Sequence, residues 1–210
     1  MPMYYGEKLN SITHLIGSVL ALMGMGALLT VSIKQHDPWM IASFSVFGCT
    51  LILLYTMSTL YHSFYPPGLK KLFQTMDHLS IYLLIAGTYT PYMLVSLRGG
   101  NGPLLLVILW GLAALGILLE LRPSRRNEKV QLFIYLLMGW LAVLEWNNLK
   151  VAISTPGVIW LAAGGITYTL GVIFYMLDHR DKLRHAHGIW HLFVLLGSLC
   201  HFISIIVYVR

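Results

Sequence analysis

Charged side chains are scarce in this chain of 210 residues. They make up 10% of the sequence, whereas soluble domains carry about 25%. Hydrophobic residues make up 57%, which excludes an ordinary soluble module and is typical of a membrane protein. At this length almost every residue is needed to cross the bilayer. We therefore expect one membrane domain over residues 1–210 and no appended soluble module.

Cysteine is equally rare, with only Cys49 and Cys200, each inside an apolar run. This excludes a disulfide-rich fold, and it leaves no thiolates for an iron–sulfur or structural cysteine site. We expect both residues to be unpaired core residues. The net charge of +6 is compatible with nucleic-acid binding in general, but here the basic residues lie in short loops between apolar runs. We therefore exclude a nucleic-acid partner.

Long apolar runs are what the chain has in abundance. A helix needs about 20 apolar residues to cross the hydrocarbon core, and only helices or closed barrels satisfy their backbone in lipid. The runs are too long for barrel strands, so the sequence predicts an all-α, polytopic bundle of seven transmembrane helices. The predicted spans are Ile12–Ile33, Trp39–His62, Thr75–Leu97, Pro103–Leu121, Val130–Leu149, Val158–Leu177 and His187–Val209.

The distribution of Lys and Arg predicts the orientation of these spans. Cytoplasmic loops carry the excess of basic residues, and the two sides hold ten and four of them. The richer side has Lys8, Lys70, Lys71, Arg122, Arg125, Arg126, Lys129, Arg180, Lys182 and Arg184, and the other has Lys34, Arg98, Lys150 and Arg210. We therefore expect a cytoplasmic N-terminus and an outside C-terminus.

Several polar residues then lie at one depth, near the cytoplasmic ends of their helices. His187 and His191 are four residues apart, so they stack on one helical face and can share a metal ion. His62 can supply a third nitrogen. Asp77 can bind the ion directly, or hold and deprotonate its water. Ser58 lies one turn from His62, and its hydroxyl can serve a substrate oxygen or simply bond its own helix backbone.

Zinc is the metal that this set of imidazoles favours, although iron, nickel and copper accept the same ligands. The pair is not an H-E-x-x-H signature, because Gly188 stands where that motif has glutamate, so a hydrolase would take its base from another helix. Asp77 is the candidate base. A cluster that only ties helices together through hydrogen bonds is the competing interpretation.

Three further features accompany this cluster. Glu7, Asn10 and His14 share one face at the start of the first helix, where they are candidates to support the metal ligands. Pro91, in TYTPY, removes a helical hydrogen bond and predicts a kink. His201 lies ten residues beyond His191, about 15 Å deeper, which is too far for the same ion; it is a candidate for hydrogen bonding inside the bundle.

Four segments together resemble the hemolysin III family, the bacterial branch of the progestin and adipoQ receptor superfamily. They are GEKLNSITH (Gly6–His14), STLYH (Ser58–His62), MDHLSIYLLIAGTYTPY (Met76–Tyr92) and HGIWH (His187–His191). The resemblance implies a seven-helix bundle with a cytoplasmic N-terminus. It also implies zinc bound by His62, His187 and His191, with Asp77 on the ion or its water and Ser58 nearby.

Three functions follow from these features. Through the related adiponectin receptors and alkaline ceramidases, the resemblance implies hydrolysis of a lipid amide or ester, with Asp77 and Ser58 as catalytic candidates and a membrane lipid as partner. A receptor or regulator with a structural zinc is the second possibility. The third is a pore-forming, haemolysin-like or transport protein, although nothing in the sequence explains pore formation.

Overall fold

The computed structural model describes residues 7–122, 127–178 and 183–210. Within these ranges it is helical throughout. The α-helices are α1 (Lys8–Lys34), α2 (Pro38–Ser63), α3 (Pro67–Pro91), α4 (Gly102–Glu120), α5 (Glu128–Trp140), α6 (Trp146–Ala152), α7 (Ser154–Asp178) and α8 (Ala186–Tyr208). Seven helical stretches in these ranges are long and apolar enough to span a membrane, since α5 and α6 form one stretch. The predicted all-α, seven-span fold is confirmed.

The predicted spans agree with the observed helices at most ends. The third span is the exception, because α3 begins at Pro67, eight residues before the predicted Thr75. Its first two turns carry Lys70, Lys71 and Gln74, so hydropathy alone does not include them. Of the residues used to predict the orientation, Arg125, Arg126, Arg180 and Lys182 lie outside the described ranges, and the orientation stays a prediction.

Two spans contain breaks in the α-helical hydrogen-bond pattern. At Pro91 the α-helix gives way to a π-helical turn, Tyr92–Ser96, because proline lacks the amide hydrogen that would continue the pattern. In the fifth span, a 3₁₀ turn, Leu141–Glu145, separates α5 from α6. The structure thus shows a change of helix type at Pro91, and the kink itself stays a prediction.

The spans form a closed ring. Consecutive helices pack against each other from α1 to α4, α5 packs on α3, α4 and α7, and α8 packs on both α7 and α1. The ring surrounds a cavity of about 1080 Å³. Residues at both ends of the bundle line it, from Glu7 and Asp178 at one end to Trp146 and Leu149 at the other. The fold thus holds an elongated interior space parallel to its helices.

The outer surface is apolar, and close helix contacts use small residues. Leu22 and Met23 on α1 are more than half exposed, as expected for side chains that face lipid. Gly116 on α4 lies so close to Tyr82 of α3 that an added Cβ would be 2.2 Å from its ring. Both cysteines are unpaired, as predicted. Cys200 is buried, but the core prediction for Cys49 is wrong, because it lies on the exposed face of α2.

Candidate metal centre

Three histidines converge at one end of the ring. His62 lies in the last turn of α2, and His187 and His191 lie in the first two turns of α8. One ring nitrogen from each lies within 4.8 Å of the others. The ring centroids are 5.0 Å apart for His62 and His187, 5.0 Å for His62 and His191, and 4.8 Å for His187 and His191. The fold therefore brings together the three predicted imidazole ligands.

Glu7 orients the imidazole of His62. Its Oε2 accepts hydrogen bonds from Nδ1 of His62 at 2.6 Å and from Nδ2 of Asn10 at 2.8 Å, and Lys70 lies 3.4 Å from Oε1. Burial raises the pKa of Glu7, but the hydrogen bond and charge of His62, with Asn10 and Lys70, outweigh it and lower the pKa to about 2. The carboxylate is therefore charged at neutral pH and supports His62 from behind.

The two ligands on α8 are oriented in the same way. Nδ1 of His187 donates to Oδ2 of Asp178 at 3.0 Å, which joins the end of α7 to the start of α8. Nδ1 of His191 donates to the backbone oxygen of Asn10 at 3.1 Å and lies 3.3 Å from the hydroxyl of Thr13. Oxygen acceptors behind Nδ1 are the usual outer support of metal-binding histidines, because they fix the tautomer and raise ligand basicity.

The opposite nitrogens are left for a ligand. Nε2 is buried in His62, His187 and His191, and in none of them does it have a hydrogen-bond partner among the described residues. Buried polar atoms are normally satisfied, so three such nitrogens facing one another indicate a missing partner. Three neutral imidazoles with supported Nδ1 atoms fit zinc, which takes three protein ligands and keeps an open position in catalytic sites. The residues present thus fit a metal centre.

Asp77 and Ser58 lie beside this cluster. Asp77 is buried in α3 and lines the same end of the cavity as His62 and His187, and Ser58 is buried in α2 one turn before His62. Among the described residues, the group of potential ligand atoms within 4.8 Å of one another consists of His62, His187 and His191, and it does not include Asp77. The structure thus brings the candidate base to the end of the cavity that holds the candidate metal ligands.

His14 contacts the cluster through its ring face. Its imidazole stacks on that of His191 with centroids 3.6 Å apart and an angle of 6° between the planes. Within the described part of the chain, neither of its nitrogens has a hydrogen-bond partner. Glu7, Asn10 and His14, the predicted supporting residues, therefore each touch a candidate metal ligand.

Sequence reasoning missed two groups near the site. Asp178 accepts a hydrogen bond from His187. The available signal was the short separation of nine residues between the two. The second group involves His78, the residue that follows the candidate base Asp77 in the sequence. It pairs with the buried carboxylate of Glu120 at 3.0 Å, and Gln131 donates to the other oxygen of that carboxylate. This network joins α3, α4 and α5 beside Asp77.

Comparison with known proteins agrees with this architecture. Residues 4–202 match the family model described as "Haemolysin-III related". The chain is 42% identical to Hemolysin-3 of Bacillus cereus over 97% of this chain and 91% of the relative. It is 40% identical to the Hemolysin-3 homolog of Bacillus subtilis (strain 168), over 96% and 93% respectively.

A more distant relative is the Homo sapiens monocyte to macrophage differentiation factor, which is 31% identical over 97% of this chain and 84% of its own length. No solved structure gives a significant match. The bacterial relatives and the seven apolar spans together make this a multi-pass integral protein of a bacterial membrane. The chain belongs to the haemolysin-III related family.

Proposed function

We propose that this protein is a zinc-dependent membrane hydrolase that cleaves an amide or ester bond of a membrane lipid, and so adjusts membrane lipid composition. One observation carries the proposal. Three histidines whose Nε2 atoms are buried and lack a hydrogen-bond partner among the described residues bring ring nitrogens within 4.8 Å of one another, and His62, His187 and Asp77 line one end of the long cavity. An ion-binding site and a carboxylate then meet at the mouth of a space suited to a lipid chain.

The histidines hold the ion, and Glu7, Asp178 and the backbone of Asn10 hold the histidines. Zinc supplies Lewis acidity, polarising a carbonyl and making a nearby water more acidic. Asp77 accepts the proton of the water that adds to the carbonyl carbon, and delivers it to the leaving amine or alcohol as the bond breaks. The products are a fatty acid and an amine or alcohol. Ser58, one turn from His62 on α2, is the candidate to donate a hydrogen bond to the substrate's carbonyl oxygen.

The cavity provides the place for the acyl chain. It continues from the candidate metal centre between α3, α5, α7 and α8, with Leu84, Ile85, Leu161 and Val194 among its lining residues. Ligand cavities of about 300–1,000 Å³ lined mainly by apolar side chains are common for small molecules. An aliphatic chain in this space places its carbonyl at the histidines. The charge count predicts that this end lies at the cytoplasmic leaflet.

The test is fatty acid release from ceramide and from ester lipids by the purified protein in proteoliposomes, with zinc supplied. We expect release by the wild type and none by the double variant His187→Ala/His191→Ala. Asp77→Asn should keep its metal and lose turnover by about 10²–10⁴-fold. Asp37→Asn serves as the matched control, since it makes the same chemical change at the far end of the bundle.

Release that is equal in the wild type and the double variant across all lipid classes would contradict the hydrolase. If, in addition, chelation lowers the thermal stability of the wild type, the zinc is structural and the receptor alternative gains support. Asp77→Asn with full activity would remove the proposed base while leaving the metal site standing.

A further inference from the structure

His201 is a buried imidazole for which neither the metal site nor the fold supplies a role. It lies on α8, ten residues beyond His191, which corresponds to about 15 Å along the helix axis. Its side chain is 6% exposed, yet it lines the same cavity as the candidate metal centre. Within the described ranges, Nδ1 of His201 has no hydrogen-bond partner, so the hydrogen bond expected inside the bundle is not made by this atom.

The ring is fixed by packing. A Cβ added to Gly164 of α7 would lie 2.6–2.8 Å from three atoms of the imidazole, so the ring lies directly against that glycine. It also stacks on Tyr168, with centroids 5.5 Å apart and an angle of 23° between the planes. The imidazole is therefore held in one place by its neighbours without a polar contact to Nδ1.

The hydroxyl of Tyr168, whose ring stacks on His201, is hydrogen-bonded elsewhere. The hydroxyl of Tyr168 bonds to Oγ of Ser198 at 2.6 Å, and that of Tyr55 donates to the same oxygen, also at 2.6 Å. Neither tyrosine bonds to the imidazole, although Tyr168 stacks on it. A fixed, buried and unpartnered polar atom in a residue that lines a cavity is the expected feature of a site whose partner belongs to a ligand.

We propose that His201 is a second polar subsite, which hydrogen-bonds a hydroxyl group carried partway along the ligand's aliphatic chain. The proposal rests on the proposed function for what occupies the metal end of the cavity. It extends that function by naming the substrate class, which is lipids with a hydroxylated long chain. The two sites, about 15 Å apart along α8, then bind the head group and the chain of the same molecule.

The chemistry of the subsite selects a hydroxyl over other groups. A charged group so deep in a membrane bundle is costly without an opposite charge, which favours a neutral partner. Nδ1 of a neutral imidazole is a donor in one tautomer and an acceptor in the other, and a hydroxyl can pair with either. A carbonyl or an ether can pair with only one. The surrounding cavity wall accepts the apolar chain on both sides of the hydroxyl.

The experiment measures binding of three fatty acids to the purified wild type by displacement of a fluorescent fatty acid. The ligands are octadecanoic, 2-hydroxyoctadecanoic and 12-hydroxyoctadecanoic acid. With the carboxyl group at the metal site, the 2-hydroxyl lies beside that site and the 12-hydroxyl lies near His201. We expect the 12-hydroxy acid to bind about tenfold more tightly than octadecanoic acid.

Variants of the chain assign that preference to His201. His201→Phe should keep the affinity for octadecanoic acid and lose the preference for the 12-hydroxy acid. Gly164→Ala displaces the ring and should reduce the preference. Gly165→Ala is its matched control on α7, because an added Cβ there meets nothing within 4 Å, and it should behave as wild type. If His201→Phe does not fold, the two glycine variants and the wild-type ligand series still test whether His201 forms the subsite.

The outcomes separate this inference from the proposed function. If the wild type binds all three acids equally, the subsite is wrong, and the imidazole bonds only to buried water. A preference for the 12-hydroxy acid that survives in His201→Phe also overturns it. If no fatty acid binds at all, the lipid-binding cavity of the proposed function fails along with the subsite.

Discussion

Nδ1 of His62 donates a hydrogen bond to Oε2 of Glu7 over 2.6 Å, which ties the last turn of α2 to the residue that precedes α1. The bond leaves Nε2 of His62 as the nitrogen that faces the other two histidines. A charged acceptor behind the ring makes the imidazole a stronger metal ligand. A metal ion held by the three histidines would therefore depend on a residue outside the set of candidate ligands.

We predict that Glu7→Gln weakens zinc binding by about tenfold or more. The amide keeps an acceptor oxygen but removes the negative charge that supports His62. Competition between the purified protein and a zinc chelator of known affinity measures the change. Asp37→Asn is the matched control, because asparagine caps a helix as well as aspartate does and Asp37 caps α2 at its opposite end. Equal affinities in wild type and Glu7→Gln would rule out the supporting role.

Elemental analysis tests the metal centre itself. We expect about one zinc per chain in the purified wild type, and a stoichiometric content of iron, nickel or copper instead would correct the identity of the metal. His62→Ala should lose the metal, because two imidazoles alone hold zinc weakly compared with three. His201→Ala, which removes a buried histidine about 15 Å away, should retain it. Full metal content in His62→Ala would mean that the three rings are only a packed cluster.

The close contact between α3 and α4 predicts a sharp difference between two glycines of one helix. Gly116→Ala places a methyl group against the ring of Tyr82 and should destabilise the fold by about 1–3 kcal/mol. Gly111→Ala should have no such effect, because its added Cβ meets nothing within 4 Å. Thermal unfolding in detergent, followed by circular dichroism, compares the two. A shared midpoint would show that α3 and α4 do not approach this closely.

The orientation is tested by fusions to the C-terminus. Seven spans and the excess of basic residues on one side predict that the C-terminus is outside. A C-terminal alkaline phosphatase fusion should therefore be active in cells, whereas a green fluorescent protein fusion at the same position should be dark. The reverse pattern would place the histidine cluster at the outer leaflet, and would move the proposed lipid chemistry to that side.

The seven spans were predictable from the sequence because each crosses hydrocarbon and must be apolar over its length. The ends of the spans were harder to predict, because α3 begins with two polar turns that hydropathy does not include. The exposure of Cys49 was also not predictable, because an apolar run does not show which residues face outward. The spacing of His187 and His191 fixed their common face, since four residues make about one helical turn. The pairing of Asp178 with His187 could not be predicted, because it depends on the relative positions of α7 and α8.

The sequence by itself determined that this chain is an all-α membrane bundle with imidazoles and a carboxylate near one set of helix ends, because hydropathy and helical periodicity are properties of single segments. Only the tertiary structure decided that His62 meets His187 and His191, that Glu7 supports one of them, and that His201 lines the same cavity. Those relationships depend on how separate helices pack around the ring, and no local pattern in the chain encodes the distance between two helices.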